Sequence, residues 1–404
     1  MPGLDDLPTL DLNSIRCPHA LRAAVVEAQQ EYTLARVANG LPFVSVLRQH
    51  DVRTVLRDPR VRSMGTETMR AVGITDGPMI DYARASLLRT DGEVHSRLRR
   101  HLASAFTATS VEQLRPFARA TFAGLLDSVH PQGGCDAVSA LCEPYPTPVI
   151  CRLIGFDDDR WEDISTWSSH VMMMFRPDVH VVRDTVERAF RDLFALVAEL
   201  VEARREAPGD DLVTRLIELE RDSDRLSEHE LQALVAQVLV AGTDTTRGQL
   251  SLIIEVLASR PEVWAELRAD PTLVPRAVEE SIRIAPTASV AARLTTDDVE
   301  IGDVVVPAGT LLFLNTLAAN VDREVLDDAD HFDLHRELPK AWHLHTFGGG
   351  PHYCLGANLA RLELVEAVTE LVERCETLEL AGEPVIPTDG PPLLRYQSLP
   401  IRWT

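Results

Sequence analysis

The chain has 404 residues, 45% of them hydrophobic, and 40 basic against 62 acidic residues leave a net charge of -22. A chain of this length can bury a large core. The acidic balance argues against nucleic acid as a partner, and no apolar run approaches the ~20 residues that a membrane helix requires.

The six cysteines, at 17, 135, 142, 151, 354 and 375, form no CxxC pair in a chain too long to need disulfide staples, so a reducing cytoplasm is expected. The acidic N-terminus MPGLDDLPTLDLNS has neither the basic nor the apolar region of a signal peptide. Length alone suggests about two or three domains. No linker interrupts the pattern, so one domain over 1–404 is expected. Lys340 is the only lysine, and nearly all positive charge is arginine.

Taken in order, Pro42–Val46 reads as a strand and His50–Asp58 as a short helix. From Arg62 to Thr90 the pattern weakens into an irregular connection of functional length. Regularity returns at Asp91, where the spacing of Val94, Leu98, Leu102 and Phe106 predicts a helix with acidic residues in its first turn. His95 and Arg99 lie four apart on it, so their tips can converge on one anion.

Helical patterns continue from Ser110 to Leu219, with breaks near 133–136, 155 and 208–210. Within them, Trp167, Met172, Met173, Met174 and Phe175 allow two readings, a plastic substrate lid or ordinary packing. Ser227 and Glu230 then form a capping-box signature ahead of a periodic run to about Arg260. At ~1.5 Å per residue that helix would measure roughly 45 to 50 Å. In its middle AGTDTTR, Ala241 to Arg247, places Gly and Thr where they weaken a helix, which predicts a local opening that presents hydroxyls to a ligand.

Glu280 and Arg283 share one face of the helix before Pro286. From Ala285 to Thr316 β-branched residues and Gly/Pro breaks predict short strands, one of which carries Arg293. Finally Phe347–Glu363 reads FGGGPHYCLGANLARLE, a triple-glycine turn, a cysteine and a helix with Leu359, Leu362, Val365, Val368 and Leu371 in phase. Cys354 thus sits where orphan N–H groups and the helix dipole favour thiolate, suited to a nucleophile or a metal ligand.

Phe347, Gly350, His352, Cys354 and Gly356 fit the haem-binding loop of the cytochrome P-450 superfamily, which this chain resembles over nearly its whole length. The resemblance implies a mainly α fold with small β-sheets, and haem b (iron protoporphyrin IX) buried between the long central helix and the cysteine loop. It implies Cys354 as the iron ligand, with His95, Arg99, Arg293 and His352 on the propionates. Ala241 and Gly242 would form the oxygen-side groove, with Asp244 as the acid and Thr245 as the hydroxyl of a proton relay. Relatives that use hydrogen peroxide directly typically carry Arg and Pro there, so oxygen and two electrons are expected here. Glu280 and Arg283 would form a structural clamp. Thr287, Ser289, Val290, the methionine cluster, 62–90 and 391–395 would wall the substrate pocket.

The implied activity is that of a soluble, actinomycete-like monooxygenase, an oxidoreductase hydroxylating or epoxidising a small, largely apolar organic molecule in secondary or catabolic metabolism. No flavin or iron–sulfur segment accompanies it, so electrons are expected from a ferredoxin or flavodoxin with its NAD(P)H reductase, docking on Arg97, Arg100 and Arg361. Oxidative coupling or rearrangement without oxygen insertion is one alternative, and a haem-binding sensor without turnover is another. Two departures from the family pattern stand out. Ala319-Asn320-Val321-Asp322 has its arginine displaced to Arg323, and Leu344 flanked by His343 and His345 stands where relatives often place a histidine.

Overall fold

A computed structural model of the chain describes all residues except 1–2, 13, 39–42, 157–159, 220–225 and 340–341. Pro42, where the first predicted strand begins, and Lys340 therefore lie outside the described residues. The elements that position the site are β1 (Phe43–Val46), α1 (Gln49–Val55), β2 (Val61–Ser63), α2 (Glu67–Ala71), α3 (Pro78–Ala85), α4 (Gly92–Ala103), α5 (Arg115–Val129), α6 (Pro146–Ile154), α7 (Trp161–Met172), α8 (Arg183–Glu206), α9 (Glu228–Ala258), α10 (Val274–Ile284), β3 (Val290–Thr295), β4 (Leu311–Asn315) and α11 (Ala357–Arg374).

The long helix α9 is the axis of the molecule, and α6, α7, α8, α10 and α11 all pack against it. Its start is the predicted capping box: Ser227 Oγ accepts from Glu230 N at 3.2 Å, and the Glu230 carboxylate accepts from Ser227 N at 2.9 Å. Two orphan donors are satisfied this way, a gain of typically ~1 kcal/mol. The 31-residue helix runs unbroken to Ala258, two residues short of the expected Arg260.

A six-stranded sheet sits to one side, in the order Thr9–Leu10, Leu34–Val37, β1, β4, β3, β2. It packs a second, smaller core of Val44, Val46, Val52, Val55, Leu312 and Leu314 between itself and α1. The antiparallel pairing of β2 with β3 sets Ser63 opposite Arg293.

Two expectations are corrected here. The segment 62–90 is not irregular throughout, since α2 and α3 form within it, α3 starting at Pro78, whose fixed φ suits the first helical position. On α4, Val94 is 47% exposed, and the buried side is His95, Leu98, His101 and Leu102. Leu98, Leu102 and Phe106 are buried as their spacing predicts, and two histidines join them in place of Val94.

Candidate active site

The cysteine loop is held by its own backbone and by α1. Cys354 N donates to Phe347 O at 2.8 Å, closing the turn ahead of α11. Gly350 has φ +61°, and a Cβ there would lie 2.3 Å from the Leu56 carbonyl oxygen. The close approach that Gly350 permits is thus to the protein's own backbone. Phe347 lies beneath the Arg361 guanidinium, 4.3 Å from ring centroid to carbon.

Cys354 is exposed, although protein crowds it closely enough that desolvation pushes its thiol above the ordinary range. A hydrogen bond from the Gly356 backbone, then Arg99 and Arg361, act the other way and are outweighed. The N–H at the helix start thus favours the thiolate as expected, against the larger opposing effect of burial.

The four predicted basic residues gather beside it. His352 Nε2 lies 2.9 Å from Asp91 Oδ1 and 3.2 Å from Ser63 Oγ, and its ring centroid is 4.1 Å from that of His95. Arg99 Nη2 donates to the Tyr353 carbonyl at 2.7 Å, and Arg293 is buried on β3 opposite Ser63. Burial holds Arg99 and Arg293 below the usual arginine range. His95 is pushed down to about 4 by burial first and then by His352 and Arg99, and its Nε2 is buried without a hydrogen-bond partner. Arg99 and Arg293 make no ion pair among the described residues, and the carboxylate nearest the cluster, Asp91, is engaged by His352.

The helix α9 is buried on nearly every side in its second half, yet Ala241 is exposed and Thr245 half-buried. Four residues apart, they lie on one face and mark an open groove. No backbone break creates it. Thr243 Oγ1 donates to Leu239 O at 2.8 Å and Thr245 Oγ1 to Ala241 O at 2.7 Å, so back-bonding keeps the helix continuous and the predicted opening is one of side-chain size only. Gly242 turns away from the groove: a Cβ there would come within 2.8 Å of Ile150, so its smallness serves the packing of α6 on α9.

Asp244 is fully buried and points toward α7. Its Oδ1 accepts from Ser169 Oγ at 2.9 Å and pairs with Arg247 Nη2 at 2.5 Å.

The Cytochrome P450 family model matches residues 24–274 and 269–404. The chain is a cytochrome P450. It is 35% identical to the luteothin monooxygenase of Streptomyces thioluteus over 95% of this chain and 93% of that one. It is 37% identical to the nocardicin C N-oxygenase of Nocardia uniformis subsp. tsuyamanensis over 94% of each. The solved structure of a mutant P450 EryK in complex with erythromycin B superposes with a TM-score of 0.84 at 28% identity, covering 100% of this chain and 98% of that one.

A cytochrome P450 monooxygenase works with haem, and the residues present suit that group. An exposed sulfur in a crowded recess, with Arg99 and Arg293 nearby and without ion pairs among the described residues, is what an iron porphyrin with two propionates would complete. Among the described residues no helix is long and apolar enough to cross a membrane.

The structural clamp takes its expected form. Arg283, with no exposed surface, donates from Nε and Nη2 to the Glu280 carboxylate at 2.7 Å each, and also to the carbonyls of Asn320, Ala329 and His331. The distant partner is Arg336, whose Nε donates to Glu280 Oε1 at 3.1 Å. Asp322 accepts from Gln49 N at 2.9 Å, while Arg323 pairs outward with Asp330, so the displaced arginine no longer belongs to this region's core. His345 is fully buried, with its backbone N–H on Asn320 Oδ1, and desolvation pushes its ring down to about 3, which fits a neutral core histidine.

Two of the three expected docking cations are paired within the chain. Arg97 pairs with Glu230, and Arg361 with Glu279 at 2.5 Å, so both charges are already compensated. Sequence reading also missed Asp91 and Ser63 as partners of His352. Asp91 looked like a helix cap, and its side chain makes no cap bond.

Proposed function

We propose that this cytochrome P450 hydroxylates or epoxidises a largely apolar natural product of secondary metabolism, with Cys354 as the haem-iron ligand. The observation that carries the reading is the exposed Cys354 sulfur in a loop beside His95, Arg99, Arg293 and His352. The names of the relatives support the substrate class, since luteothin and nocardicin C are acted on by proteins about a third identical to this one.

Haem, when bound, supplies oxygen activation, which thiolate donation to iron favours. The protein's part is holding and proton handling. Arg99 and Arg293 would each donate to a propionate, and His95 and His352 would complete that shell. Asp244 would hold a proton at its carboxyl, and the Thr245 hydroxyl would orient the water that receives it at the groove. Ala241, lacking a larger side chain, leaves space for the reacting molecule. Electrons would come from a separate ferredoxin or flavodoxin and its NAD(P)H reductase in the cytoplasm, and all of 1–404 would form one domain.

The test is spectroscopic. The reduced protein under carbon monoxide should show the strongly red-shifted Soret band of thiolate ligation, and Cys354→Ser should abolish it together with turnover. A native-rate hydroxylation by that variant would defeat the assignment. A panel of macrolides, terpenoids, steroids and aromatic polyketides, titrated for the low- to high-spin change, would define the substrate class. Product mass separates oxygen insertion from oxidative coupling.

A further inference from the structure

Arg89 is a buried guanidinium, 7% exposed, that makes no ion pair among the described residues. Its Nη1 donates to the carbonyls of Gly65 at 2.6 Å and Met64 at 3.4 Å, whereas Nε is buried without a hydrogen-bond partner and Nη2 donates to no group among the described residues. The carboxylate whose charge it feels, that of Glu67, is held by Arg62 at 2.6 Å. Burial pushes Arg89 down to about 10, with Tyr82 and Glu67 acting the other way. A charge taken out of water is costly unless it is paired, and two neutral carbonyls on one arm leave most of that cost standing.

The open part of Arg89 is a specific edge. Elsewhere in this chain Arg283 grips the Glu280 carboxylate through Nε and Nη2, at 2.7 Å each. Arg89 has the same two atoms without partners, the edge of the fork that takes a carboxylate by two parallel hydrogen bonds. Its surroundings lead to α9. Phe175, at the end of the methionine cluster, lies beneath the guanidinium, 5.0 Å from carbon to ring centroid. Arg89 N donates to Ser86 O at 3.0 Å, and this turn is fastened to α9, since Leu87 N donates to Gln237 Oε1 and Gln237 Nε2 to Ser86 Oγ, both at 2.9 Å. Gln237, Ala241 and Thr245 follow one another at intervals of four and share one helix face. Arg89 is thus tied, through a single turn, to the face on which Ala241 is exposed.

We infer that the substrate carries a carboxylate, that Arg89 binds it through Nε and Nη2, and that the apolar body of the molecule extends from there toward Ala241. Arg89 then sets which molecules enter and which end leads, and takes no part in the oxidation. This assignment names the substrate class of the monooxygenase proposed above and rests on that reading.

The experiment uses the haem-loaded full chain and follows the low- to high-spin change on titration with laurate, cinnamate and abietate, each beside its methyl ester. At neutral pH at least one acid should bind roughly thirtyfold more tightly than its ester, the worth of a hydrogen bond to a charged group. Arg89→Met should abolish that preference by weakening the acid alone, and Arg89→Lys, which keeps the charge and loses the fork, should retain part of it. The carbon-monoxide spectrum and the affinity for the ester should match wild type in both variants. A role confined to holding the Met64 and Gly65 carbonyls would instead weaken acid and ester together, and that result overturns the assignment. So does the absence of any acid preference in the wild type, a readout that needs no variant. Spin-state changes with the esters alone would refute the carboxylate and leave the monooxygenase standing, whereas a wild-type protein without the red-shifted carbon-monoxide band would refute the monooxygenase itself.

Discussion

Asp91 and His352 are joined across 261 positions of sequence by a contact of 2.9 Å between Oδ1 and Nε2. The other Asp91 oxygen accepts from Ser63 N at 3.0 Å, so one carboxylate ties β2, the start of α4 and the cysteine loop together. Hydrogen bonds to charged groups contribute about 1.5–3 kcal/mol, and each 1.4 kcal/mol is a factor of ten. Asp91→Ala should therefore release haem to apomyoglobin roughly tenfold faster than wild type, while Asp91→Asn, which keeps an acceptor oxygen, should fall between. Equal release rates for all three proteins would deny the carboxylate this role.

Much of the site was legible because its chemistry is local. Cys354, His352 and Phe347 lie within eight positions, His95 and Arg99 within one helical turn, and the capping box announced α9. What the sequence hid depends on pairing between distant elements. That Asp91 serves His352, that Arg336 completes the clamp, and that Glu230 and Glu279 occupy Arg97 and Arg361 all follow from packing over long separations. A local opening was expected over Ala241–Arg247, and within that stretch Ala241 is exposed and Thr245 half-buried on an unbroken helix. Thr243 and Thr245 donate their hydroxyls to the carbonyls of Leu239 and Ala241 one turn earlier, and the helix runs on through them.

The Glu280–Arg283 pair sets the stability of the region behind the cysteine loop. Both side chains are buried, and removing one member of such a pair costs about 3–5 kcal/mol because the other charge is stranded. Glu280→Ala should lower the urea midpoint strongly. Exchanging both residues for apolar ones should cost less than the single change, and a double variant as unstable as the sum of the singles would show that the pair acts through something other than mutual compensation.

Gly350 tests whether the loop geometry belongs to the protein or to its ligand. Alanine there meets the Leu56 carbonyl and adopts a left-handed conformation at φ +61°, a strain of about 1–3 kcal/mol before any collision. Gly350→Ala should lower the thermal midpoint of the haem-free protein as well as weaken the red-shifted carbon-monoxide band. If only the haem-loaded form responds, the glycine serves the ligand, and the contact with Leu56 is incidental.

His95 gives the pocket a pH signature with a definite sign. An unfolded histidine titrates near 6.5, while His95 in the folded chain is pushed down to about 4 by burial and then by His352 and Arg99. Between those values the unfolded state binds a proton that the folded state refuses, so folding stability falls as pH drops through that window and is unaffected above it. One pH unit of separation corresponds to roughly 1.4 kcal/mol. Urea unfolding of the haem-free protein should therefore show a midpoint that declines from pH 7 toward pH 4, and His95→Gln should flatten the decline. Propionates at Arg99 and Arg293 would supply the missing negative charge and favour the protonated ring, so the haem-loaded protein should lose less stability over the same range. A decline of equal slope with and without haem would mean that no anion reaches His95.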